Sequence, residues 1–296
     1  MPRLIVNADD FGVTPGVNRA IVEAAGNGIV TSATMMASGR AFEDAVARLR
    51  AAPPGGPRFS VGCHVVLVDG TPVLPPKQIP SLVQQNGGVS QFRKTANSFA
   101  LAALAGKLKS DEIEAEAAAQ IQRVQRAGIA VSHVDTHKHV HMFPAVLRPL
   151  LRAAKAAGIS AVRNPFEPAF ARRLKGSDWK LRKRELQMKM LGSFEANFRK
   201  EVAAQGMHTT DGALGVLVTG VLDLNFFVQI VSNIPDGTWE FVCHPGYDDR
   251  DLEQIRTRLR ASRQQELTVL TSPEAKNALQ LRGVQLISYH ELCMSN

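Results

Sequence analysis

The chain has 296 residues, 45% hydrophobic and 21% charged, with a formal net charge of +8. This composition is that of a globular protein and excludes a low-complexity or fibrous chain. No run of about 18 uncharged apolar residues is present, which excludes a helical membrane span, and the length suits one barrel-sized domain over residues 1–296.

The first apolar run, Leu4–Asn7, predicts a buried strand that ends on two carboxylates, Asp9 and Asp10. Such a pair is costly to bury unless it is used or paired. Gly12 turns the chain, and a helix is expected over Pro15–Asn27. No basic and apolar leader precedes the strand, so a cytoplasmic protein is expected. Further strands are predicted at Ser32–Ala37, Ser60–Leu67, Ser132–His137, Ala161–Asn164, Leu214–Thr219, Glu240–His244 and Gln285–Tyr289. Helices are predicted between them at Ala41–Ala52, Asp111–Ala127, Pro144–Ala157, Leu222–Ile234, Asp251–Leu259 and Pro273–Leu281. Alternation of this kind argues for parallel βαβ units. Eight strands predict an α/β fold, a (β/α) barrel of TIM type, closed or slightly distorted; an open doubly wound sheet is the alternative.

Two insertions stand out. Asp69–Thr95 carries Pro72, Pro75, Pro76, Pro80 and Gly87-Gly88, and follows the third strand, where a long loop would sit over the active face. Arg172–Lys200 is a basic helical stretch, with ten Lys/Arg against Asp178, Glu185 and Glu195. Outside that window the chain is near neutral, so a nucleic-acid partner is not expected. Cys63, Cys243 and Cys293 are too scattered for a disulfide framework, and Cys63 and Cys243, each preceding a histidine, are read as buried structural thiols.

The polar residues gather at predicted strand ends. The first strand brings Asp9 and Asp10, the third His64, the fifth Arg163 and Asn164, and the seventh His244. The fourth brings His133, Asp135 and His137 at period two, with His139 and His141 extending the rhythm into the loop. In a parallel barrel these ends meet at one mouth. An acid and two histidines with positions left open describe a catalytic metal site, and the absence of any CxxC argues against a closed structural one. A second aspartate is then free to act as base, while His244 is placed to protonate a leaving amine or steady an oxyanion. His139, His141, Arg163 and Lys138 are read as substrate contacts, although Lys138 could equally reach solvent. Oxygen and imidazole donors admit one divalent ion, with Mg²⁺ or Zn²⁺ leading over Mn²⁺ and Co²⁺.

Asn7-Ala8-Asp9-Asp10-Phe11-Gly12, Gly62-Cys63-His64, the run His133 to Pro144, and Cys243-His244-Pro245 together resemble the YdjC-type carbohydrate deacetylases, over Leu4 to about Tyr289. The resemblance implies a metal-dependent barrel hydrolase that removes N-acetyl groups from amino sugars. It implies Asp10, His64 and His137 as metal ligands and Asp9 as catalytic base. His64–Gly70, Pro72–Pro76 and Ala161–Pro165 are closest to the branch associated with hopanoid biosynthesis, which implies an N-acetylglucosaminyl hopanoid as substrate. Soluble chitooligosaccharides are the alternative. Lys138 departs from the family pattern and puts a cation near the metal face.

Trp179, Leu186, Met190, Phe194 and Phe198 fall mostly four apart among basic residues. That pattern fits either a helix packed on the barrel or one lying against an anionic membrane. A homodimer is also compatible with the sequence. Two competing functions stay open: a different barrel metallohydrolase, and a non-catalytic sugar- or lipid-binding barrel.

Overall fold

A computed structural model describes residues 1–51, 59–86, 88–172 and 179–294. The chain opens with β1 (Pro2–Phe11), α1 (Pro15–Asn27), β2 (Ser32–Met35), α2 (Phe42–Arg50) and β3 (Ser60–Val65). The long insertion then forms β4 (Val83–Asn86), β5 (Val89–Phe92) and α3 (Ala96–Leu104). Next come α4 (Ser110–Arg126), β6 (Val131–Thr136) and α5 (Pro144–Ala156), followed by α6 (Ala169–Arg172), α7 (Trp179–Leu191) and α8 (Glu195–Ala204). The chain closes with β7 (Gly212–Leu214), α9 (Leu224–Ser232), β8 (Gly237–Cys243), α10 (Arg250–Glu253), α11 (Ala261–Thr271), α12 (Pro273–Arg282), β9 (Gln285–Leu286) and α13 (Tyr289–Met294).

The strands form one curled parallel sheet in the order β6-β3-β2-β1-β8-β7, with β9 attached to β1. β1 lies between β2 and β8, pairing Asn7 with both Ser32 and Val242. Leu4, Ile5 and Val6 are fully buried, as an apolar run covered on both faces should be. The turn into α1 is built locally: Thr14 Oγ1 accepts from Val17 N, and Pro15 supplies the first helical residue.

The regular eight-strand ring expected from the sequence is not present among the described residues. The fifth predicted strand is reduced to isolated bridges, Val134 to Val162 and Ala161 to His208. Pro165 lacks a donor, and the Asn164 side chain takes over local pairing by bonding Thr210 O and Phe166 N. These bridges draw the margins of the sheet toward each other around a polar interior. The eighth predicted strand is only β9, and Tyr289 instead begins α13. Cys63 and Cys243 are buried with free thiols, as expected.

The loop after β3 is held down. Val73 N and Leu74 N donate to Glu116 at 2.8 and 3.0 Å, Ser81 N donates to Glu112 at 2.6 Å, and Asp69 N donates to Arg93 O at 2.8 Å. Both glutamates lie on α4. In the basic insertion, Leu181 is buried and Arg184 donates to the carbonyls of Leu217 and Thr219. Leu186 and Met190 are 61% and 70% exposed, whereas Phe198 is buried. A 3₁₀ turn at Gly192–Phe194 resets the helical phase, so the expected stripe is broken. The Trp179 side chain lies outside the described residues. No helix among the described residues is long and apolar enough to cross a membrane.

Candidate metal centre and active site

The site is built at the C-terminal end of β1. Successive residues of a regular strand point to opposite faces. Here Asp10 has φ of 67°, and the ladder to β2 shifts register between Ala8 and Phe11. This kink lets two consecutive carboxylates address one mouth. Left-handed backbone at a non-glycine residue is uncommon and is tolerated best by Asp and Asn.

Asp10, His64 and His137 come together as the sequence implied. His64 Nε2 lies 3.3 Å from His137 Nδ1 and 3.6 Å from Asp10 Oδ1, and His137 Nδ1 lies 3.5 Å from that same oxygen. Donors so spaced fit around one ion with bonds of about 2.0–2.2 Å. Asp10 Oδ1 is buried with no hydrogen-bond partner, while Oδ2 accepts from Arg263 at 2.5 Å. His64 Nδ1 pairs with Asp135 at 2.8 Å, which fixes the tautomer and leaves Nε2 to face the other donors. Burial works against a charged His64, but Asp135, Asp9 and Asp10 outweigh it and push its pKa up to about 9, as a place that attracts positive charge should. The residues therefore fit a divalent ion. A second acidic cluster, Asp9–His64–Asp135, is fully buried, and Arg163 occupies both carboxylates.

Asp9 sits deeper, 2% exposed. Its oxygens accept from Arg163 at 2.7 and 2.8 Å, from Asn7 at 2.9 Å and from Thr34 at 3.0 Å. Burial alone would raise its pKa; Arg163 reverses this and holds the group ionised far below the usual carboxylate range. His244 Nε2 faces Asp9 Oδ2 at 3.8 Å, its backbone N donates to Glu266 at 2.5 Å, and its Nδ1 is buried without a partner. Burial pushes the His244 imidazole down to about 4, so it is neutral at pH 7.

The structure separates the four residues read as substrate contacts. The period-two rhythm stops at Thr136, because Lys138 and His139 take φ of 58° and 54° within a 3₁₀ segment, His137–Met142. Arg163 is fully buried and faces Asp9, Asp135 and Glu240, so it does not reach the mouth. His141 is also fully buried, exchanging contacts with Thr136 and bonding Arg163 O. Lys138 Nζ pairs with Asp69 Oδ2 at 2.5 Å. His139 alone of the four lines a cavity of about 580 Å³, together with Met142, Phe166, Met188, Leu191 and Val216. The sequence reading underused Asp135, which lies inside the histidine run, and missed Arg263, which arrives from α11 with no local signal.

A curled parallel sheet whose strand ends present an Asp-His-His donor set beside a second carboxylate defines a candidate metallohydrolase. The profile of the YdjC-like protein family matches residues 3–281. A carbohydrate deacetylase of Brevibacillus brevis is 34% identical over 293 residues, covering 98% of this chain and 99% of the relative. A chitooligosaccharide deacetylase of Escherichia fergusonii is 32% identical, covering 97% of each chain. A solved Enterococcus faecalis structure, described as a candidate cellobiose-phosphate cleavage protein, superposes with a TM-score of 0.75 at 27% identity, covering 98% of each chain. The chain belongs to the YdjC-like family.

Proposed function

We propose that this protein is a metal-dependent hydrolase that removes the N-acetyl group from an N-acetylglucosamine-type amino sugar. The observation that carries this reading is the Asp10–His64–His137 donor triangle standing beside a separate acid–imidazole pair, Asp9 and His244. Relatives named as carbohydrate and chitooligosaccharide deacetylases support hydrolysis of a sugar amide.

Asp10 Oδ1, His64 Nε2 and His137 Nδ1 would hold one divalent ion, which when bound would supply Lewis acidity for hydrolysis of the amide. Arg263 and Asp135 keep two of those donors aimed. Asp9 Oδ2 takes the proton released as water adds to the acetyl carbon. His244 Nε2, 3.8 Å away, receives it and delivers it to the departing amine nitrogen. Arg163 keeps Asp9 ionised and immobile between turnovers.

The finer proposal is that the sugar is carried on a hopanoid lipid. Two features support it. The cavity beside His139 is walled by Met142, Phe166, Met188 and Leu191, and the outer face of α7 exposes Leu186 and Met190 among Arg182, Lys183 and Lys189. Such a face suits peripheral contact of a cytoplasmic protein with an anionic membrane. A soluble chitooligosaccharide remains the alternative substrate. Purified protein with Mg²⁺ or Zn²⁺ is incubated with N-acetylglucosaminyl hopanoid and, separately, with acetylated chitooligosaccharide. Acetate and free amine from the glycolipid support the finer reading, products from the oligosaccharide alone restrict the function to soluble sugars, and no acetate from either rejects the deacetylase.

A further inference from the structure

The polar interior below the site is continuous. Arg163 Nη1 and Nη2 hold Asp9 at 2.8 and 2.7 Å, and Nη1 also pairs with Asp135. On its other side, Arg163 Nε and Nη2 reach Glu240 Oε1 at 2.8 and 2.7 Å. Glu240 Oε2 accepts from the Tyr289 hydroxyl at 2.5 Å. Arg163, Glu240 and Tyr289 are each fully buried. Three carboxylates thus share one guanidinium, and a phenol from the C-terminal helix supports the carboxylate farthest from the mouth.

Tyr289 is itself held rigidly. Its ring stacks on His133 at 3.5 Å with 11° between planes. The His133 ring presses against Gly62, where an added Cβ would come within 2.5 Å of it. Tyr289 N donates to Ser60 Oγ at 3.2 Å and Ser32 Oγ at 3.3 Å. Ile5, Ala161, Ile287 and Leu292 form a separate small core around it. A residue needed only to fill space would not require a hydroxyl aimed at a buried carboxylate.

We propose that Tyr289 is a positioning residue for Asp9, acting through Glu240 and Arg163 so that the C-terminal helix aligns the carboxylate that receives the proton. This rests on the deacetylase reading. Without the hydroxyl, Glu240 Oε2 loses a buried donor and turns toward Arg163, and the guanidinium turns with it. Asp9 takes both of its charged contacts from that guanidinium, so its oxygens shift relative to His244. Substrate does not touch Tyr289, so binding is unaffected.

The test compares the full-length wild type, Tyr289→Phe and Leu292→Ala at saturating divalent ion, with thermal stability recorded for each. Leu292 lies on the same helix and in the same small core but outside the polar chain. Tyr289→Phe is expected to lower kcat about tenfold with KM changed less than about twofold, while Leu292→Ala keeps kcat despite a comparable loss of stability. If Tyr289→Phe does not fold, Glu240→Gln carries the test with the same expected split. A kcat within twofold of wild type, or an equal fall in Leu292→Ala, overturns the proposal. A wild type that releases no acetate removes the deacetylase reading and the relay together; an active wild type with an unaffected Tyr289→Phe removes the relay alone.

Discussion

His64 gives its Nδ1 to Asp135 at 2.8 Å, and this one bond decides which ring nitrogen faces Asp10 and His137. Asp135→Asn is therefore expected to weaken divalent-ion binding by about 10–100-fold while the fold persists. Titration calorimetry with Zn²⁺, alongside circular dichroism, reads this directly. Unchanged affinity in a folded variant would overturn this orienting role of Asp135.

Asp9→Asn keeps the shape of the group and removes its ability to take a proton. The expected loss in kcat is about 10²–10⁴-fold, with ion binding retained. His137→Ala should instead lose the ion itself. Acetate release and metal content measured together separate the two roles, and near wild-type turnover in Asp9→Asn would refute its assignment as base.

Gly62 has no room for a methyl group because the His133 ring is wedged between it and Tyr289. Gly62→Ala should destabilise the protein by about 1–3 kcal/mol through overpacking. Chemical denaturation provides the measurement, and a neutral result would show that this part of the interior yields.

Glu167 is buried and accepts from Gly215 N and Leu217 N at 2.8 Å each. Burial nevertheless raises its pKa from 4.5 to about 8. The folded state thus prefers the protonated acid. Its contribution to stability is complete below about pH 4.5 and is lost as pH rises through about 8. Glu167→Gln should flatten the fall in Tm across that window. The slope is the reading, since the amide also loses one acceptor. Parallel curves for the two proteins would contradict the shift.

If α7 touches an anionic bilayer, wild-type protein should co-sediment with phosphatidylglycerol vesicles and release them at high salt. Leu186→Ser combined with Met190→Ser should reduce binding severalfold without altering turnover of a soluble substrate. A wild type that ignores such vesicles would argue for the soluble oligosaccharide.

Much of this site was legible because burying Asp9, Asp10, His64 and His244 at strand ends makes little sense for packing alone. The helix boundaries of α1, α4 and α12 were legible from Pro15, Ser110 and Pro273 and the residues that follow them. Other features had no local signature. Period two cannot foresee that Lys138 and His139 leave the strand with left-handed backbone, which is why His141 turned inward. Arg163 read as a mouth residue because its spacing is silent about three carboxylates arriving from β1, β6 and β8. Glu112 and Glu116 look like solvated helix acids in sequence, yet they anchor a proline-rich loop by its amides. Arg263 is 253 residues from its partner Asp10, and only the tertiary fold joins them.

The left-handed backbone at Asp10 has a consequence for transplantation. Grafting Asp10, His64 and His137 onto another parallel sheet would reproduce the side chains and still fail, since an unkinked strand sends the second acid to the opposite face. Any redesign must import the bend with the ligands, and a β-branched residue at position 10 would be refused by the chain before chemistry entered the question.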